Sequence, residues 1–466
     1  MLTYTFKNTG SESLYEQLYS YIKNDILTGK LTAGERLPSK RTFAKNLGIS
    51  TITVENAYAL LISEGYVYSL PKKGYFVSET QEEVPVLHDE TEEKKPQYFA
   101  DFTSNGTLHT LFPFTIWAKL MRAVLSERQR ELMQVSPGGG IAQLRSAIAE
   151  HLYQFRGMRV RPSQIIIGSG TEYLYGLIIQ LLGHDKVFAV EDPGYGKIAK
   201  VYAANDVIYK YIPLDCDGVD ISSLRESGAD ILHISPSHHF PTGIVTPISR
   251  RYELLSWAAE SERHYIIEDD YDSEFRLGGK PVPSLRSIDV TDKVIYMNTF
   301  SKSLASTIRI SYMVLPETLA EKFYKSLGFY SCTVSTFEQY TLAEFINGGY
   351  FGNHINRMRK YYIEERDNLL RVISENKVLK NAEISGTESG LHFLMKINTP
   401  LSDEELIKSA RRHGINISCL SGYYHDAEKC REGTVVINYS GVEPDRIEEA
   451  IRRLSESISL NENRPS

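Results

Sequence analysis

Cysteine is scarce in this sequence, and it has no long apolar run. The chain has 466 residues but only four cysteines, and Cys216, Cys332, Cys419 and Cys430 lack the spacing of metal ligands. We therefore expect reduced, structural thiols and no metal site. No run reaches the roughly 18 apolar residues of a membrane span, and the first residues lack the apolar core of a signal peptide. The sequence thus predicts a cytoplasmic protein.

The length and the uneven charge predict two domains joined by a linker. The chain is longer than one hydrophobic core usually serves, and its composition, with 42% hydrophobic and 24% charged residues, is ordinary for a globular protein. Residues 1–78 carry a net charge of +3, and residues 79–97 carry −5. The acidic strip has few large apolar residues and cannot fold alone. We expect a domain at 1–78, an acidic linker at 79–97 and a larger domain at 98–466.

The pattern of residues 1–78 predicts a winged helix-turn-helix. Apolar residues at 14, 18, 22 and 26 have helical spacing, and Ser13 can cap this first helix. Two short helices follow, with Ser39 and Ser50 as N-caps and a glycine-containing turn between them. The run YVYSLPKKGYFVS then predicts a β-hairpin, which would be the wing.

Short polar and basic side chains cluster where such a motif meets DNA. The second helix of the motif enters the major groove with its N-terminal residues, and the wing tip can reach the minor groove or the phosphates. The candidate DNA contacts are Ser39, Arg41, Ser50, Thr51, Thr53, Glu55, Lys72, Lys73 and Gly74. A small protein-interaction module with a solvated hairpin is the alternative.

From residue 98 onward, apolar β-rich runs alternate with helical patterns. This alternation predicts an α/β domain, with a mostly parallel sheet and helices on both faces. The predicted strands are QIIIG, KVFAV, ADILHIS, HYIIED and KVIYMN. Because ligands of such sheets bind at the carboxyl ends of the strands, the residues just after each strand are the candidates for a site.

These strand ends offer the parts of a pyridoxal phosphate site. Gly170 and Thr171 lie in a glycine-rich turn that opens a helix, which suits phosphate. Asp269 ends a buried strand, where an acid needs a cation or a donor. Lys302 could lose its proton in the interior and attack a carbonyl. The cofactor needs such a lysine, a carboxylate at its ring nitrogen and a phosphate cup, to which Arg309 would contribute.

Aromatic and histidine residues add to this set. Tyr271 could bond the ring hydroxyl, and Tyr195 could cover a face of the ring or fill the core. The loop PSHHFPTG holds His238 and His239, but no third metal ligand lies at a suitable spacing. Each residue has an ordinary alternative, such as a surface position for Lys302. Their joint order along the chain favours the cofactor site.

The predicted N-terminal domain at 1–78, which we call the head, resembles the GntR family of bacterial repressors over residues 12–78. The resemblance rests on the order helix, GERLPS, helix, GISTITV, helix and wing. It implies that Arg41, Thr51, Thr53 and Gly74 lie where the family touches DNA. Together with the larger predicted domain at 98–466, which we call the body, this head looks like the MocR subfamily of regulators.

The body resembles fold-type I aminotransferases over about residues 98–455, with EDPGY, PSHHFPTG, EDDYDSEFR and FSKSLASTIRISY as its marks. The resemblance implies a smaller C-terminal α+β subdomain and a homodimer with sites at the subunit interface. It implies Lys302 for the Schiff base, Asp269 for the ring nitrogen and Tyr271 for the ring oxygen. The phosphate would be held by Arg309, Ser301, Gly170 and Thr171.

Two features depart from the aminotransferase pattern. Phe240 stands where many members have asparagine, and a histidine of the pair His238–His239 is expected to replace it, with His239 counted among the cofactor-binding candidates. The late strand TVVINYSG has no arginine for a substrate carboxylate, and Lys197 and Arg431 are weak substitutes. Substrate identity therefore stays open, and full transamination is not expected.

The sequence thus predicts a regulator that binds operator DNA and uses pyridoxal phosphate as a sensor. An amine or amino-acid effector would displace Lys302 and form an external aldimine, and the linker at 79–97 would pass the change to the DNA heads of a homodimer. One alternative is a working aminotransferase whose head only regulates its own synthesis. Another is a regulator whose body has lost the cofactor and serves only for dimerisation.

Overall fold

The computed structural model describes residues 4–6, 13–79, 97–104, 106–278, 282–426 and 433–459. The chain forms two compact units, Met1–Lys95 and Pro96–Ser466. Most of the predicted linker, together with Arg431 and Cys430, lies outside the described residues. In the described part, the other three cysteines are free thiols. No described helix combines the length and the apolar character that a membrane span needs.

The N-terminal unit holds the three predicted helices, with local caps that explain their bounds. The helices are α1 (Leu14–Leu27), α2 (Lys40–Leu47) and α3 (Thr51–Ser63). The hydroxyls of Ser39 and Ser50 accept hydrogen bonds from the amides of Thr42 and Thr53 at the starts of α2 and α3. Gly48 ends α2 in the left-handed conformation, with φ of 68°.

The wing contains one strand more than the sequence indicated. Its sheet has the order β1, β3, β2, and the pairs are antiparallel. These strands are β1 (Arg36–Leu37), β2 (Val67–Leu70) and β3 (Gly74–Val77). The two residues of β1 are too few to show an alternating pattern. Apolar side chains from the helices and the wing form one core, which includes Leu18, Ile22, Phe43, Val54, Leu61, Val67 and Val77.

The larger unit alternates strands and helices. Its helices are α4 (Phe114–Glu127), α5 (Gln129–Leu132), α6 (Ala142–Arg156), α7 (Thr171–Leu182), α8 (Gly196–Ala204), α9 (Ile221–Ser227), α10 (Ile248–Ala259), α11 (Leu285–Ile288), α12 (Phe300–Ser303), α13 (Glu317–Ser326), α14 (Thr336–Asn347), α15 (Tyr350–Glu375), α16 (Asp403–Arg412) and α17 (Ile447–Ser459). Its strands are β4 (Ala100–Asp101), β5 (Ile165–Gly168), β6 (Val187–Asp192), β7 (Ile208–Asp215), β8 (Gly218–Val219), β9 (Ile231–Ile234), β10 (Tyr265–Asp269), β11 (Val294–Thr299), β12 (Ser311–Val314), β13 (Glu383–Ser385), β14 (His392–Lys396), β15 (Ile415–Asn416), β16 (Ser418–Cys419) and β17 (Thr434–Asn438).

The main sheet has eight strands in the order β5, β12, β11, β10, β9, β6, β7, β8. Strands β11, β10, β9 and β6 run parallel to one another, as predicted, and β7, which was not predicted, is parallel to β6. Strand β12 runs antiparallel to both β11 and β5 and was not predicted. Because β10 and β11 are adjacent and parallel, their carboxyl ends meet at one edge of the sheet.

A smaller subdomain lies at the C-terminal end of this unit, as the fold resemblance implied. Its sheet has the order β13, β14, β17, β16, and α15, α16 and α17 pack with it in one apolar cluster. The strand TVVINYSG of the sequence analysis becomes β17, and His392 of β14 lies opposite Asn438 of β17.

Candidate functional site

Lys302 and Asp269 lie at the same edge of the main sheet. Asp269 is the last residue of β10, and Lys302 lies in α12, which follows β11 directly. Lys302 is partly buried, and burial lowers the pKa of its amine to about 8, with Asp272 acting in the opposite direction. A lysine with such a pKa is a better nucleophile at neutral pH than a solvated lysine.

Asp269 has one oxygen engaged and one buried oxygen left over. Its Oδ2 accepts a hydrogen bond from the hydroxyl of Tyr175 at 2.5 Å, and Nε2 of His233 lies 3.6 Å from the same oxygen. The hydroxyl of Tyr202 and Nδ1 of His233 are 2.6 Å apart, which orients the imidazole. Oδ1 of Asp269 is buried and has no hydrogen-bond partner among the described residues. Such an oxygen suits an N–H donor from a ligand.

A cradle for an anion forms at the start of α7. Gly170 has a φ of 98°, and a Cβ at this position would overlap the guanidinium of Arg309. The structure therefore brings Gly170, Thr171 and Arg309 together at a helix N-terminus, where backbone amides and the helix dipole favour phosphate. Ser301 lies near this segment of chain, but its hydroxyl donates to the carbonyl of Ile308 at 2.8 Å.

Glu172 is a member of this cradle that sequence reasoning missed. Its Oε2 lies 2.6 Å from Nη2 of Arg309, and its Oε1 pairs with the amine of Lys197. Burial alone would raise the pKa of Glu172, but Lys197 and Arg309 outweigh burial and lower it. In the sequence, Glu172 looks like an ordinary acid in the first turn of a helix. In the structure, Glu172 forms an ion pair with Lys197, the residue that the sequence suggested for binding an effector carboxylate.

The two neighbouring histidines have different surroundings. Nδ1 of His238 lies 2.7 Å from Oδ2 of Asp272 and 3.3 Å from the hydroxyl of Tyr271. Nδ1 of His239 instead lies 2.7 Å from the hydroxyl of Thr242. His238 is therefore the histidine next to Tyr271, whereas the role expected for His239 stays a prediction.

Tyr195, Phe240 and His392 form an aromatic cluster. The ring of Phe240 lies 6.0 Å from the ring of Tyr195 and 4.9 Å from that of His392, centroid to centroid. Burial, His238 and Lys302 all lower the pKa of His392, so that its imidazole is uncharged at neutral pH. His392 is a second site residue that the sequence did not reveal, because β14 is far from the other motifs in the chain.

The N-terminal unit exposes most of the predicted DNA contacts. Arg41, Ser50, Thr51, Lys72 and Lys73 are exposed. The hydroxyls of Ser39 and Ser50 also serve as helix caps. Of the other candidates, Thr53 is partly buried and Gly74 has a φ of 116°.

Two details of the recognition helix α3 were not anticipated. Oε1 of Glu55 lies 2.5 Å from Nζ of Lys40, so that this carboxylate is paired within the unit. Ile52 is 68% exposed at the start of α3. An apolar side chain at this position can contact a thymine methyl group in the major groove.

The geometry of the larger unit fits pyridoxal phosphate on three independent observations. Oδ1 of Asp269 is buried without a partner in the described part of the chain, and Gly170 leaves a cradle that a side chain would fill. The amine of Lys302 has a lowered pKa at the same sheet edge. These features match the needs of a ring nitrogen, a phosphate and an aldehyde, respectively.

Comparison with known proteins gives two family matches. Residues 101–454 match the family described as aminotransferase class I and II, and residues 14–77 match the family described as bacterial regulatory proteins, gntR family. The first match covers most of the chain.

Similar relatives carry both parts. The uncharacterized HTH-type transcriptional regulator YdeL of Bacillus subtilis is 39% identical over 451 residues, which are 95% of this chain and 96% of that protein. The probable rhizopine catabolism regulatory protein MocR of Rhizobium meliloti is 29% identical over 95% of this chain and 93% of its own. The HTH-type pyridoxine biosynthesis transcriptional regulator PdxR of Corynebacterium glutamicum is 27% identical over 96% of each chain.

Among solved structures, the kynurenine aminotransferase of Pyrococcus horikoshii has a TM-score of 0.68 and is 24% identical. The match covers 80% of this chain and 93% of that one. This likeness supports the fold of the larger unit.

Proposed function

We infer the function from one premise: the chain belongs to the aminotransferase class I and II family and carries a GntR-family head, the arrangement of MocR-type regulators. It is a transcriptional regulator with a DNA-binding GntR domain and an aminotransferase-like domain, and the family implies pyridoxal 5'-phosphate as its cofactor. Beyond this, we propose that the larger unit senses an amine or amino-acid effector through Lys302. As a regulator of bacterial genes, it would act in the cytoplasm.

The chain's own residues would hold the cofactor in a defined orientation. Oδ1 of Asp269 would accept a hydrogen bond from the ring nitrogen, while Tyr175 keeps the carboxylate in place. The amides of Gly170 and Thr171 and the guanidinium of Arg309 would bind the phosphate. When bound, the cofactor supplies an aldehyde carbon that bonds reversibly to a primary amine.

Sensing would follow from an exchange of amines at Lys302. The bound cofactor would supply the carbon at which amines exchange. Lys302 would be its resident amine, which leaves when an effector amine takes its place and which accepts the proton that the effector's nitrogen releases. The ammonium of Lys302 is then stabilised by Asp272, which raises its pKa. The partly buried Lys302 with its lowered pKa is the observation that carries this proposal. The effector changes DNA binding only as far as it binds two conformations unequally.

The absence of an arginine on strand β17 to bind a substrate carboxylate favours a regulator over an aminotransferase. Strand β17 has no arginine, and its last residue, Asn438, lies opposite His392 of β14. Lys197, the nearest substitute among the described residues, is paired with Glu172. Full-length protein mixed with amino acids and a 2-oxo acid should therefore give no sustained keto-acid turnover. A panel of primary amines should change the visible absorption and the operator affinity together.

The rate of cofactor attachment should rise with pH and level off above about pH 8 to 9. With a pKa of about 8, roughly a tenth of the Lys302 amines are neutral at pH 7, and the neutral fraction is nearly complete one unit above the pKa. The measurement is the growth of the visible band after mixing apoprotein with pyridoxal phosphate, between about pH 6 and pH 10. A rate that still rises steeply near pH 10 would show an ordinary, solvated lysine instead.

Replacing Arg41 by alanine should weaken operator binding by about 1–3 kcal/mol, because an exposed guanidinium at the start of α2 is placed to bond a guanine edge or a phosphate. Fluorescence anisotropy with operator DNA measures the effect. Lys30→Ala is a matched control, since Lys30 pairs with Asp25 at 3.1 Å outside the helix-turn-helix. Equal affinity of the Arg41→Ala variant and the wild type would refute the assigned DNA-binding face.

We further propose that the larger unit forms a homodimer. Met133, Val135 and Phe329 are 77%, 78% and 77% exposed, which is unusual for large apolar side chains. Their two segments are adjacent, since the amide of Cys332 bonds the carbonyl of Ser136 at 3.3 Å. The same region reaches the phosphate cradle, because the amide of Ser169 donates to the hydroxyl of Thr333 at 3.0 Å. A second copy on this surface would border the site.

The solution mass of the full chain should therefore be twice 52.9 kDa. Phe329→Asp should yield a monomer by analytical ultracentrifugation, since it would place a charge in the centre of an apolar interface. Val290→Asp is the control, because Val290 is exposed elsewhere on the unit. A monomeric wild-type chain would contradict the proposed dimer.

A further inference from the structure

A second positively charged cleft lies in the larger unit and shares no lining residue with the Lys302 site. It has a volume of about 370 Å³. It is lined by Phe155, Arg156, Ser273, Arg276, Leu277, Gly278 and Arg359. Three of these residues are arginines, and none of the lining residues that the structure describes is acidic. We call this the arginine cleft.

Arg156 offers an unused donor to the cleft. Its side chain is only 8% exposed, and its Nη2 pairs with Asp270 and donates to the hydroxyl of Ser237 at 3.1 Å. Its Nε is buried and has no hydrogen-bond partner within the described ranges. A buried donor without an acceptor is destabilising, because it has given up its hydrogen bond to water. An acceptor from a ligand would remove this destabilisation.

Arg276 and Arg359 add two more guanidiniums to the lining of the cleft. Nη1 of Arg276 is also buried without a partner among the described atoms, and burial and the charge of Arg156 lower the pKa of Arg276. Nε of Arg359 donates to the backbone carbonyl of Glu274 at 2.6 Å, so that its two terminal nitrogens are left to bind a ligand. Burial lowers the pKa of Arg359 as well.

Nearby carboxylates balance part of the charge of these guanidiniums: Asp270, Glu268 and Glu274 raise the pKa of Arg156 against the effect of burial, and Asp270 and Asp272 act in the same direction on Arg276. Asp270 is engaged by Arg156 and by the hydroxyl of Tyr296, which donates to it at 2.8 Å. Burial raises the pKa of Glu274 to about 7, so that this acid is only partly ionised at neutral pH. The described lining of the cleft itself carries only positive charge, and two of its N–H donors have no hydrogen-bond partner among the described residues.

We propose that the arginine cleft binds a small phosphate-bearing anion, such as a phosphate ester or pyrophosphate. Guanidinium groups form paired hydrogen bonds with phosphate oxygens, and they do so best where water is partly excluded. The hydroxyl of Ser273 accepts a hydrogen bond from Nδ2 of Asn298 at 3.1 Å, so it can give its own proton to the anion. This ligand is distinct from the effector and from the cofactor's own phosphate.

Calorimetric titration of the cofactor-loaded full-length protein with inorganic pyrophosphate tests the proposal at fixed ionic strength. We expect saturable binding by the wild type. Arg276→Gln and Arg359→Gln should each weaken it about ten- to a hundredfold, since each removes a charge-assisted hydrogen bond. Arg371→Gln is the control, because Arg371 lies on the same helix as Arg359 but is exposed and paired with Glu375.

Titration before and after cofactor loading separates the arginine cleft from the phosphate cradle, because the bound cofactor fills the cradle and should leave the pyrophosphate affinity of the cleft unchanged. Circular dichroism of each variant establishes that it is folded, and two independent cleft variants protect against the failure of one. The proposal is wrong if the wild type shows no saturable binding. It is equally wrong if Arg276→Gln and Arg359→Gln both bind like the wild type, or if pyrophosphate binds the apoprotein and cofactor loading abolishes that binding.

Discussion

Replacing Lys302 by alanine should abolish attachment of the cofactor and the response to any amine effector, while operator binding persists. The change removes the nitrogen that would bond to the aldehyde carbon. No other lysine in the described part of the chain lies at this sheet edge with a pKa lowered to about 8. The head has its own core, so its fold does not depend on this side chain.

Two readouts follow from that variant. The visible absorption of the loaded protein should disappear, and fluorescence anisotropy should show operator binding that no longer changes when amines are added. Lys322→Ala is a suitable control, since Lys322 is an exposed lysine on α13. A Lys302→Ala protein that still changes its operator affinity with effector would refute the role given to Lys302.

Replacing Asp269 by alanine should weaken cofactor binding by about 3–5 kcal/mol, which is a loss of two to three orders of magnitude or more, because it leaves a charged ring nitrogen buried without its partner. It also takes the acceptor from the hydroxyl of Tyr175. The effector response should be lost with the cofactor, while operator affinity stays close to that of the wild type. Titration of apoprotein with pyridoxal phosphate measures the first effect.

Asp269→Asn is the informative companion of that variant. Asparagine keeps the volume and an oxygen for Tyr175 but loses the negative charge, so it separates packing from electrostatics. We expect cofactor affinity between those of the wild type and Asp269→Ala. If Asp269→Ala binds the cofactor and responds to effectors like the wild type, the site is placed wrongly.

Local signals predicted much of the fold. The hydroxyls of Ser39 and Ser50 cap their helices through contacts only three residues apart, so that sequence spacing is enough to find them. The parallel strands β6, β9, β10 and β11 were recognisable as apolar runs, since both of their faces are covered, whereas the largely exposed or half-buried β7 was missed. Strand β12 was missed, because it lies directly after the motif around Arg309 and its antiparallel direction follows from distant partners.

The site was predictable at the strand ends and not beyond them. Asp269 and Lys302 stand out because a charged residue at the end of a buried strand needs a reason. Glu172, Tyr175 and His392 gave no such signal, since each looks ordinary in its own helix or strand. Their importance arises from contacts across the fold, such as the bond from Tyr175 to Asp269, which spans 94 residues of sequence. The arginine cleft was missed for the same reason.

The most direct test of the account is to trap the cofactor on the protein. Full-length protein loaded with pyridoxal phosphate is reduced with borohydride, digested and mapped by mass spectrometry. We predict one modified lysine, Lys302, and a loss of that modification when a responsive amine is added before reduction. A cofactor fixed to a different lysine, or to none, would contradict the central claim that the amine of Lys302 is the sensor.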